Sequence, residues 1–171
     1  MSDPVAAHRR DAALQGPWAV AVLTASDRRT EANDASGAYL CEAVVAAGHR
    51  LAMYRVVRED LETLRTAIAH ASLVADAVLL TGGTGPAPRD RTPEALAPFL
   101  ERPLPGFGEL FRWLSFQEVG GAAWLSRALA GVGGGRVYVA LPGSPAAVRL
   151  AWERLLAPEL PHLLAQVRRS S

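Results

Sequence analysis

The sequence predicts an α/β fold, a three-layer α/β/α sandwich built on an open, mostly parallel, Rossmann-like sheet. Short apolar, β-prone segments alternate with segments of helical period, and no internal repeat interrupts the alternation. The length of 171 residues suits a single domain. We therefore assign residues 17–171 to one domain and residues 1–16, which are polar and alanine-rich without a clear period, to a mobile arm.

The first half of the chain contains three predicted strands. Residues 18–24 are an apolar run typical of a strand covered on both faces, and residues 51–57 alternate as a more exposed strand does. The helix between them begins at Asp34, an N-cap residue type for which a substrate contact is the second interpretation, and ends at Gly48. Glu59 and Asp60 open another helix, which leads into a strand at residues 77–81.

The second half is predicted to be mostly helical before one last strand. Thr92 has the pattern of an N-cap ahead of a short helix that runs to about residue 100. A helix follows at about residues 109–119, with a short helical stretch over residues 124–129. Residues 131–135 are expected to be a turn-rich break before a strand at residues 136–141. Ser144 then caps a helix begun by Pro145, and Pro158 restarts a terminal helix.

The composition excludes several classes of function. All 18 residues counted as lysine or arginine are arginine, which removes P-loop and Schiff-base lysine chemistry. The formal net charge of +1 and the dispersed arginines disfavour nucleic-acid binding. One cysteine and 4 separated histidines predict neither a disulfide framework nor a zinc motif. Because the single cysteine has no partner in the chain, we expect a reducing, cytoplasmic compartment. The apolar runs are too short to cross a membrane, so we expect no membrane binding.

A ligand should bind beyond the carboxyl ends of the predicted strands. The third strand leaves into the glycine-rich residues 81–85, whose successive N–H groups and two hydroxyls could form a phosphate nest. Arg89, Asp90 and a helix start follow in the same loop, which favours phosphate binding over the alternative of a simple glycine turn. The loop has neither Walker A spacing nor the position of a dinucleotide fingerprint, so NAD is disfavoured.

Three carboxylates near the predicted strand ends have two candidate roles each. Asp90 either places Mg²⁺ between phosphate oxygens or pairs with Arg89 or Arg91. Glu59 and Asp60 either serve the site or complement the dipole of the helix that they precede. Ser144 is an N-cap first, although a capped helix start at the ligand edge is also an anion site.

With these motifs in place, the chain resembles the molybdopterin adenylyltransferase family, the MoaB and MogA proteins. The resemblance extends over nearly all of residues 18–160, and its ending, AWERLLAPEL at residues 151–160, is more similar to MoaB than to MogA. The other matching segments are SDR at residues 26–28, DASG at 34–37, TGGTGPAPRDRTPE at 81–94, PGFGELF at 105–111, LSR at 125–127 and LPGS at 141–144.

The resemblance implies a role in molybdenum cofactor biosynthesis, with Mg²⁺-dependent transfer of AMP from ATP to the terminal phosphate of molybdopterin. It implies catalytic roles for Asp90, also the expected Mg²⁺ ligand, and for Glu59, where family members often carry aspartate and the longer side chain departs from the pattern. The implied substrate-binding and nucleotide-binding residues are Ser26, Asp27, Asp34, Ser36, Gly37, Thr81, Gly82, Gly83, Thr84, Gly85, Arg89, Gly106, Gly108, Glu109, Ser126, Arg127, Pro142, Gly143 and Ser144.

A second functional hypothesis belongs to a different class. A binding or assembly protein of the same pathway would retain molybdopterin with little turnover. Loss of acidic residues from the strand ends would favour this hypothesis, and the chain keeps them apart from the exchange at Glu59.

The resemblance also implies a homo-trimer or a hexamer built from trimers, and transient contact with other molybdenum cofactor enzymes. The sequence independently predicts an oligomer, because one helical segment is apolar on more than one face. The alternative is that this segment and the stretch around Trp124 cover one another within a monomer. The apolar residues of the segment are Phe107, Leu110, Phe111, Trp113, Leu114 and Phe116.

Overall fold

The computed structural model describes residues 15–168, so the predicted arm lies outside the described residues except for its last two positions. Six strands in this range form one sheet in the order β2-β1-β3-β6-β5-β4. Strands β1, β2, β3 and β6 run parallel, and β4 and β5 pair antiparallel. The prediction of a mostly parallel sheet is confirmed. The strands are β1 Ala19–Ala25, β2 Arg50–Val57, β3 Ala77–Thr81, β4 Arg102–Pro103, β5 Leu129–Gly133 and β6 Arg136–Leu141.

Helices cover both faces of this sheet. They are α1 Ala35–Ala46, α2 Leu61–Val74, α3 Thr92–Leu96, α4 Pro105–Val119, α5 Pro145–Ala151 and α6 Ala157–Arg168. Short 3₁₀ segments, Ala97–Phe99 and Gly120–Leu125, follow α3 and α4, and a π-helical segment, Trp152–Leu156, joins α5 to α6. The chain therefore stays helical through Pro158, which does not restart a helix as expected. No helix between residues 15 and 168 is both long enough and apolar enough to cross a membrane.

The core lies in two layers, one on each side of the sheet. Successive residues of β1 face opposite layers, so Val20 packs with one cluster and Leu23 with the other. One cluster takes buried residues from α1, α4, α5 and α6, whereas the other takes them from α2 and α3. Because β1 is buried on both faces, its sequence is almost continuously apolar. Strand β2 lies at the sheet edge, which explains its greater exposure.

Two expectations for the second half of the chain are only partly right. The helical stretch expected over residues 124–129 ends at Leu125, and the turn expected over residues 131–135 is confined to Gly134 and Gly135, because residues 129–133 form a strand. They form β5, which pairs with β6 through a hairpin at Gly134 and Gly135, where φ is 54° and 72°. The strand contains glycine because neighbouring backbone approaches it closely. A Cβ at Gly131 would lie 3.0 Å from the carbonyl oxygen of Arg102, and one at Gly133 would clash with that of Phe99. Glycine here indicates close packing rather than a turn.

Helix starts are confirmed in one case and corrected in two. Ser144 caps α5 by accepting a hydrogen bond of 3.3 Å from the N–H of Ala147, as predicted. Helix α4 begins at Pro105, four residues before the expected start. Helix α3 begins at Thr92, so its N-cap is Arg91, and the hydroxyl of Thr92 donates to the carbonyl oxygen of Gly82 at 2.7 Å. This bond joins α3 to the loop that follows β3.

Candidate active site

A cleft of about 450 Å³ opens where β1, β2, β3 and β6 end, as the topology of a parallel sheet predicts. Its volume lies in the range typical of small-molecule sites. Backbone of the glycine-rich loop, arginine side chains and two carboxylates share the lining. The lining residues are Ala25, Ser26, Arg28, Arg29, Glu59, Gly82, Gly83, Thr84, Gly85, Pro86, Asp90, Leu125, Ser126, Pro142 and Gly143.

The glycine loop presents bare backbone to the cleft because its geometry tolerates no side chain. Gly82 and Gly83 have φ values of 91° and 64°. A Cβ at Gly82 would clash with the carbonyl oxygen of Ala25, and one at Gly83 with the hydroxyl of Thr92. Thr81 turns away from the cleft and donates to the carbonyl oxygen of Pro142 at 2.9 Å, which ties the ends of β3 and β6 together.

Asp90 lines the cleft at the far end of this loop. Its Oδ2 accepts a hydrogen bond of 2.9 Å from the N–H of Ala87. Within the described chain, its Oδ1 has no hydrogen-bond partner, and neither Arg89 nor Arg91 forms an ion pair with it. The alternative of a local ion pair is therefore wrong. One carboxylate oxygen shapes the loop, and the other is available to a ligand.

The structure separates the roles of Glu59 and Asp60. Asp60 caps α2, accepting from the backbone N–H and the hydroxyl of Thr63 at 2.9 Å and 2.7 Å, and these bonds lower its pKa. Glu59 instead lines the cleft. Burial raises the pKa of Glu59, and the negative charges of Asp27 and Asp90 raise it further. Glu59 therefore lies in the electrostatic field of Asp27 and of Asp90, the second carboxylate of the cleft lining.

Arg127 supports the glycine loop from behind. Its Nε donates to the carbonyl oxygen of Gly85 at 2.9 Å, its Nη2 donates to that of Asp90 at 2.6 Å, and its Nη1 pairs with Glu94. Its backbone N–H also donates to the carbonyl oxygen of Thr84 at 2.8 Å. Because every guanidinium nitrogen has a protein partner, the side chain holds the loop in place.

Asp34 occupies the N-cap position of α1, but the predicted capping hydrogen bond is not formed. The buried carboxylate accepts from the hydroxyls of Thr24 at 2.5 Å and Tyr54 at 2.9 Å, and from Nη1 of Arg29 at 3.3 Å. Gly37 makes this arrangement possible, because a Cβ there would clash with the carboxylate. Burial raises the pKa of Tyr54, and its hydrogen bond to Asp34 raises it further. Asp34 thus organises the end of β1 instead of the helix start.

One carbonyl oxygen of the cleft wall is held from two sides. The carbonyl oxygen of Gly143 accepts from Nη1 of Arg29 at 3.0 Å and from the hydroxyl of Ser36 at 2.8 Å. Ser36 is buried behind the wall, whereas Arg29 reaches the cleft. The loop after β1 is thereby joined to the loop after β6.

Comparison with known proteins identifies the family. Residues 21–162 match the family described as "Probable molybdopterin binding domain". The chain belongs to this family. Two relatives named molybdenum cofactor biosynthesis protein B support the assignment. The protein from Halalkalibacterium halodurans is 46% identical over 151 residues, 85% of this chain and 88% of the relative. The protein from Escherichia coli is 44% identical over 146 residues, 84% of this chain and 86% of the relative.

Solved structures of the molybdopterin-binding-domain family share the fold. The crystal structure of a molybdenum cofactor biosynthesis protein B superposes with a TM-score of 0.86 at 41% identity, covering 91% of this chain and 99% of that chain. The crystal structure of the tungsten cofactor synthesizing protein MoaB from Pyrococcus furiosus gives a TM-score of 0.81 at 36% identity, covering 88% and 97%. The resemblance to MoaB and MogA proteins is confirmed.

Several residues expected to bind a ligand lie outside the cleft lining of this molybdopterin-binding domain. Gly108 and Glu109 line a separate cavity of about 280 Å³, and Ser144 lines an apolar cavity of about 190 Å³ that shares Ser126 and Pro142 with the cleft. Gly106 is exposed outside these cavities. The remaining residues are Asp27, Asp34, Ser36, Gly37, Thr81, Arg89 and Arg127, which stand beside or behind the cleft wall.

Sequence reasoning missed Arg28 and Arg29 as site residues. Both line the cleft, directly after the Ser26 and Asp27 of the first strand end. The signal available was the pair of arginines at a strand end in a chain without lysine. Their position relative to the end of β6 is a tertiary contact that no local pattern contains.

Proposed function

We propose that this molybdopterin-binding-domain protein transfers AMP from ATP to the terminal phosphate of molybdopterin, with Mg²⁺ as cofactor. The observation that carries the proposal is one cleft in which the bare glycine loop and the carboxylates of Asp90 and Glu59 face the same space. The names of the relatives support the pathway, which is molybdenum cofactor biosynthesis. The backbone N–H groups of the glycine loop can donate hydrogen bonds to phosphate oxygens.

The proposed reaction balances without a covalent enzyme intermediate. An oxygen of the molybdopterin phosphate attacks the α-phosphorus of ATP, and the bond between the α-phosphorus and its bridging oxygen breaks. The products are adenylyl-molybdopterin and pyrophosphate, which carries the electron pair of the broken bond. A step of this kind needs alignment of the two phosphates and compensation of their negative charge. The loop N–H groups and the cleft arginines can do both, and the cleft carboxylates would contribute by holding Mg²⁺.

The donor set in the cleft fits a magnesium ion. Mg²⁺ is usually held by one or two protein carboxylates together with water and substrate phosphate oxygens. Asp90 offers a carboxylate oxygen with no hydrogen-bond partner among the described residues, and Glu59 lies close enough for the charge of Asp90 to raise its pKa. Within residues 15–168, no three histidine, cysteine, aspartate or glutamate side chains gather to hold a metal by themselves. Bound Mg²⁺ would neutralise phosphate charge, and Asp90 and Glu59 would hold it against the substrate.

The decisive experiment is incubation of the purified protein with ATP, Mg²⁺ and molybdopterin, followed by detection of adenylyl-molybdopterin and pyrophosphate. The Asp90→Asn variant should form no product while keeping its fold, because the amide can still accept from the N–H of Ala87 but carries no charge. Glu42→Gln, which removes an exposed carboxylate from α1, is the matched control and should retain full turnover. Unchanged turnover in Asp90→Asn would show that Asp90 has no catalytic role. Retention of molybdopterin without product in the parent would favour the binding or assembly role.

We also propose that the protein is a trimer or a hexamer built from trimers. The supporting observation is an apolar surface on α4 and the following 3₁₀ segment, where Trp113, Phe116 and Trp124 are 61%, 60% and 78% exposed. These exposures argue against mutual cover of the two segments within one chain. Contact with other copies would bury this surface, and closed rotational symmetry would limit the assembly to a fixed number of chains.

A further inference from the structure

We infer that Arg29 is a phosphate-binding residue of the cleft, which contacts phosphoryl oxygens of a substrate directly. The inference rests on the proposed function for the identity of that substrate, ATP or the molybdopterin phosphate. The chemistry that the two sources share is a phosphate group, and titration with each substrate separates them.

The first observation is how the guanidinium of Arg29 is used. Its Nη1 donates to the carbonyl oxygen of Gly143 at 3.0 Å and to Asp34 at 3.3 Å. In the described part of the chain, Nε and Nη2 have no partner, while the residue lines the cleft and its side chain is 34% exposed. A guanidinium anchored at one nitrogen therefore has further donors for a ligand. Such a fork matches the oxygens of a phosphate.

The second observation is that Arg29 is held in place before any ligand arrives. The carboxylate of Asp34 that anchors it is buried and is itself fixed by Thr24 and Tyr54. The backbone N–H of Arg29 donates to the hydroxyl of Ser26 at 3.1 Å. A side chain that is already ordered loses little conformational entropy when a ligand binds. A larger part of the free energy of each hydrogen bond therefore contributes to the affinity.

The third observation is that the other arginines around the cleft are either bound to protein atoms, outside the lining or not held in place. The chain has no lysine, so arginine side chains supply its permanent positive charge. The nitrogens of Arg127 are all occupied by protein atoms, and the exposed Arg89 does not line the cleft. Arg28 lines the cleft but is exposed, and no hydrogen bond of its side chain is seen within residues 15–168. Arg29 combines a place in the lining with a fixed side chain.

The location of Arg29 suits a phosphate that also contacts the glycine loop. The backbone atoms of Gly143 and Gly82 approach closely enough for a Cβ at Gly143 to lie 3.3 Å from the Cα of Gly82 and 4.0 Å from Nη1 of Arg29. The guanidinium and the phosphate loop thus meet at one corner of the cleft. Because the charge of Asp34 offsets that of Arg29, recognition depends on directed hydrogen bonds rather than on net charge.

The experiment is calorimetric titration of the parent, Arg29→Gln and Arg55→Gln with ATP, inorganic pyrophosphate and adenosine. We expect Arg29→Gln to weaken the binding of pyrophosphate, and of the substrate whose phosphate Arg29 contacts, roughly ten- to hundred-fold, because these ligands lose a charged hydrogen bond. The affinity for adenosine, which has no phosphate, should stay unchanged. Arg55→Gln removes an exposed arginine from β2, outside the cleft lining, and should change none of the three affinities. A titration with molybdopterin assigns the source. Loss for molybdopterin but not for ATP places the pterin phosphate at Arg29, and the reverse places ATP there.

Thermal unfolding and circular dichroism check the fold of each variant. If Arg29→Gln does not fold, Arg29→Lys, which keeps the charge beside Asp34, takes its place in the same titrations. Equal affinities of parent and variant for every phosphate ligand, or equal weakening of adenosine, would overturn the inference. A parent that makes no adenylyl-molybdopterin, but whose pyrophosphate binding depends on Arg29, would contradict the proposed function and leave the role of Arg29 intact.

Discussion

The Nη2 of Arg127 donates a hydrogen bond of 2.6 Å to the backbone carbonyl oxygen of Asp90. The Nε of Arg127 binds the carbonyl oxygen of Gly85 at 2.9 Å, so one side chain holds both ends of the segment from Gly85 to Asp90. Arg127 follows directly after Leu125 and Ser126, which line the cleft themselves. The position of the proposed catalytic carboxylate therefore depends on a residue more than thirty positions later in the chain.

The Arg127→Lys variant should lose turnover while keeping its fold. Lysine keeps the charge but has one nitrogen, which cannot replace the contacts to Gly85, Asp90 and Glu94. We expect the maximal rate to fall about tenfold or more and the Mg²⁺ concentration for half-maximal rate to rise, with a stability loss of about 1–2 kcal/mol. Initial rates over a Mg²⁺ titration and chemical unfolding check these effects. The control is Arg149→Lys, which alters an exposed ion pair with Glu153 outside the cleft lining and should keep the Mg²⁺ dependence of the parent.

The Glu59→Gln variant should change how stability depends on pH. Burial and the nearby negative charges raise the pKa of Glu59, so just above the ordinary glutamate pKa the folded protein binds more protons than the unfolded chain. Stability that this group contributes is lost as the pH rises through the raised pKa. Glutamine removes the loss, so the variant should gain melting temperature over the parent at about pH 7 and gain less at about pH 4. Scanning fluorimetry at both pH values tests this, and an equal difference at both would contradict it.

The same variant should slow adenylyl transfer less than Asp90→Asn does. Asp60 caps α2 and complements its dipole. The contribution of Glu59 to the reaction therefore comes from its position in the cleft lining. Rates of both variants under identical conditions provide the comparison. A loss as deep as that of Asp90→Asn would raise Glu59 to an essential metal ligand.

The Gly83→Val variant should weaken phosphate binding and destabilise the fold. Gly83 has a φ of 64°, and a Cβ there would collide with the hydroxyl of Thr92, which holds the carbonyl oxygen of Gly82. We expect a cost of about 1–3 kcal/mol from the strained backbone, with weaker binding of pyrophosphate. Calorimetry and thermal unfolding measure both. Gly121→Val, at a site with open space around the Cβ position, is the control and should leave pyrophosphate binding unchanged.

The Trp113→Glu variant should lower the number of chains in the assembly. Trp113 is 61% exposed on α4, within the apolar surface proposed to contact other copies, and a buried carboxylate there would be costly. Light scattering of the parent at micromolar concentration should report three or six chains. Leu73→Glu, which places a charge at a residue 77% exposed on α2, is the control and should leave the assembly intact. A parent that stays monomeric over a wide concentration range would contradict the assembly proposal and leave the role of Asp90 untouched.

Local patterns in the sequence were sufficient for several elements of this protein. Strands β3 and β6 were predicted with their observed bounds because each is a short apolar run between polar turns. The cap at Ser144 followed from its position before Pro145. The glycine loop and Asp90 could be assigned to a ligand site because parallel strands bring their carboxyl ends to one edge. These features depend on interactions between residues close in sequence, or on a rule of sheet topology.

Tertiary structure alone decided the features that depend on distant pairs. Arg29 meets the carbonyl oxygen of Gly143 across 114 positions, and Arg127 meets that of Gly85 across 42. Thr92 and Asp34 have the residue types of helix caps, but Gly82, Thr24 and Tyr54 offered them other partners once the strands had packed. Strand β5 could not be predicted from the sequence because its glycines suggest a turn. They are needed because backbone of residues 99–102 packs against them, and the composition of the segment does not reveal this contact. The sequence by itself determined the parallel strands, most of the helices and the sheet edge that carries the chemistry. Long-range contacts decided the antiparallel strands β4 and β5, which side chains enter the cleft and which hold its walls.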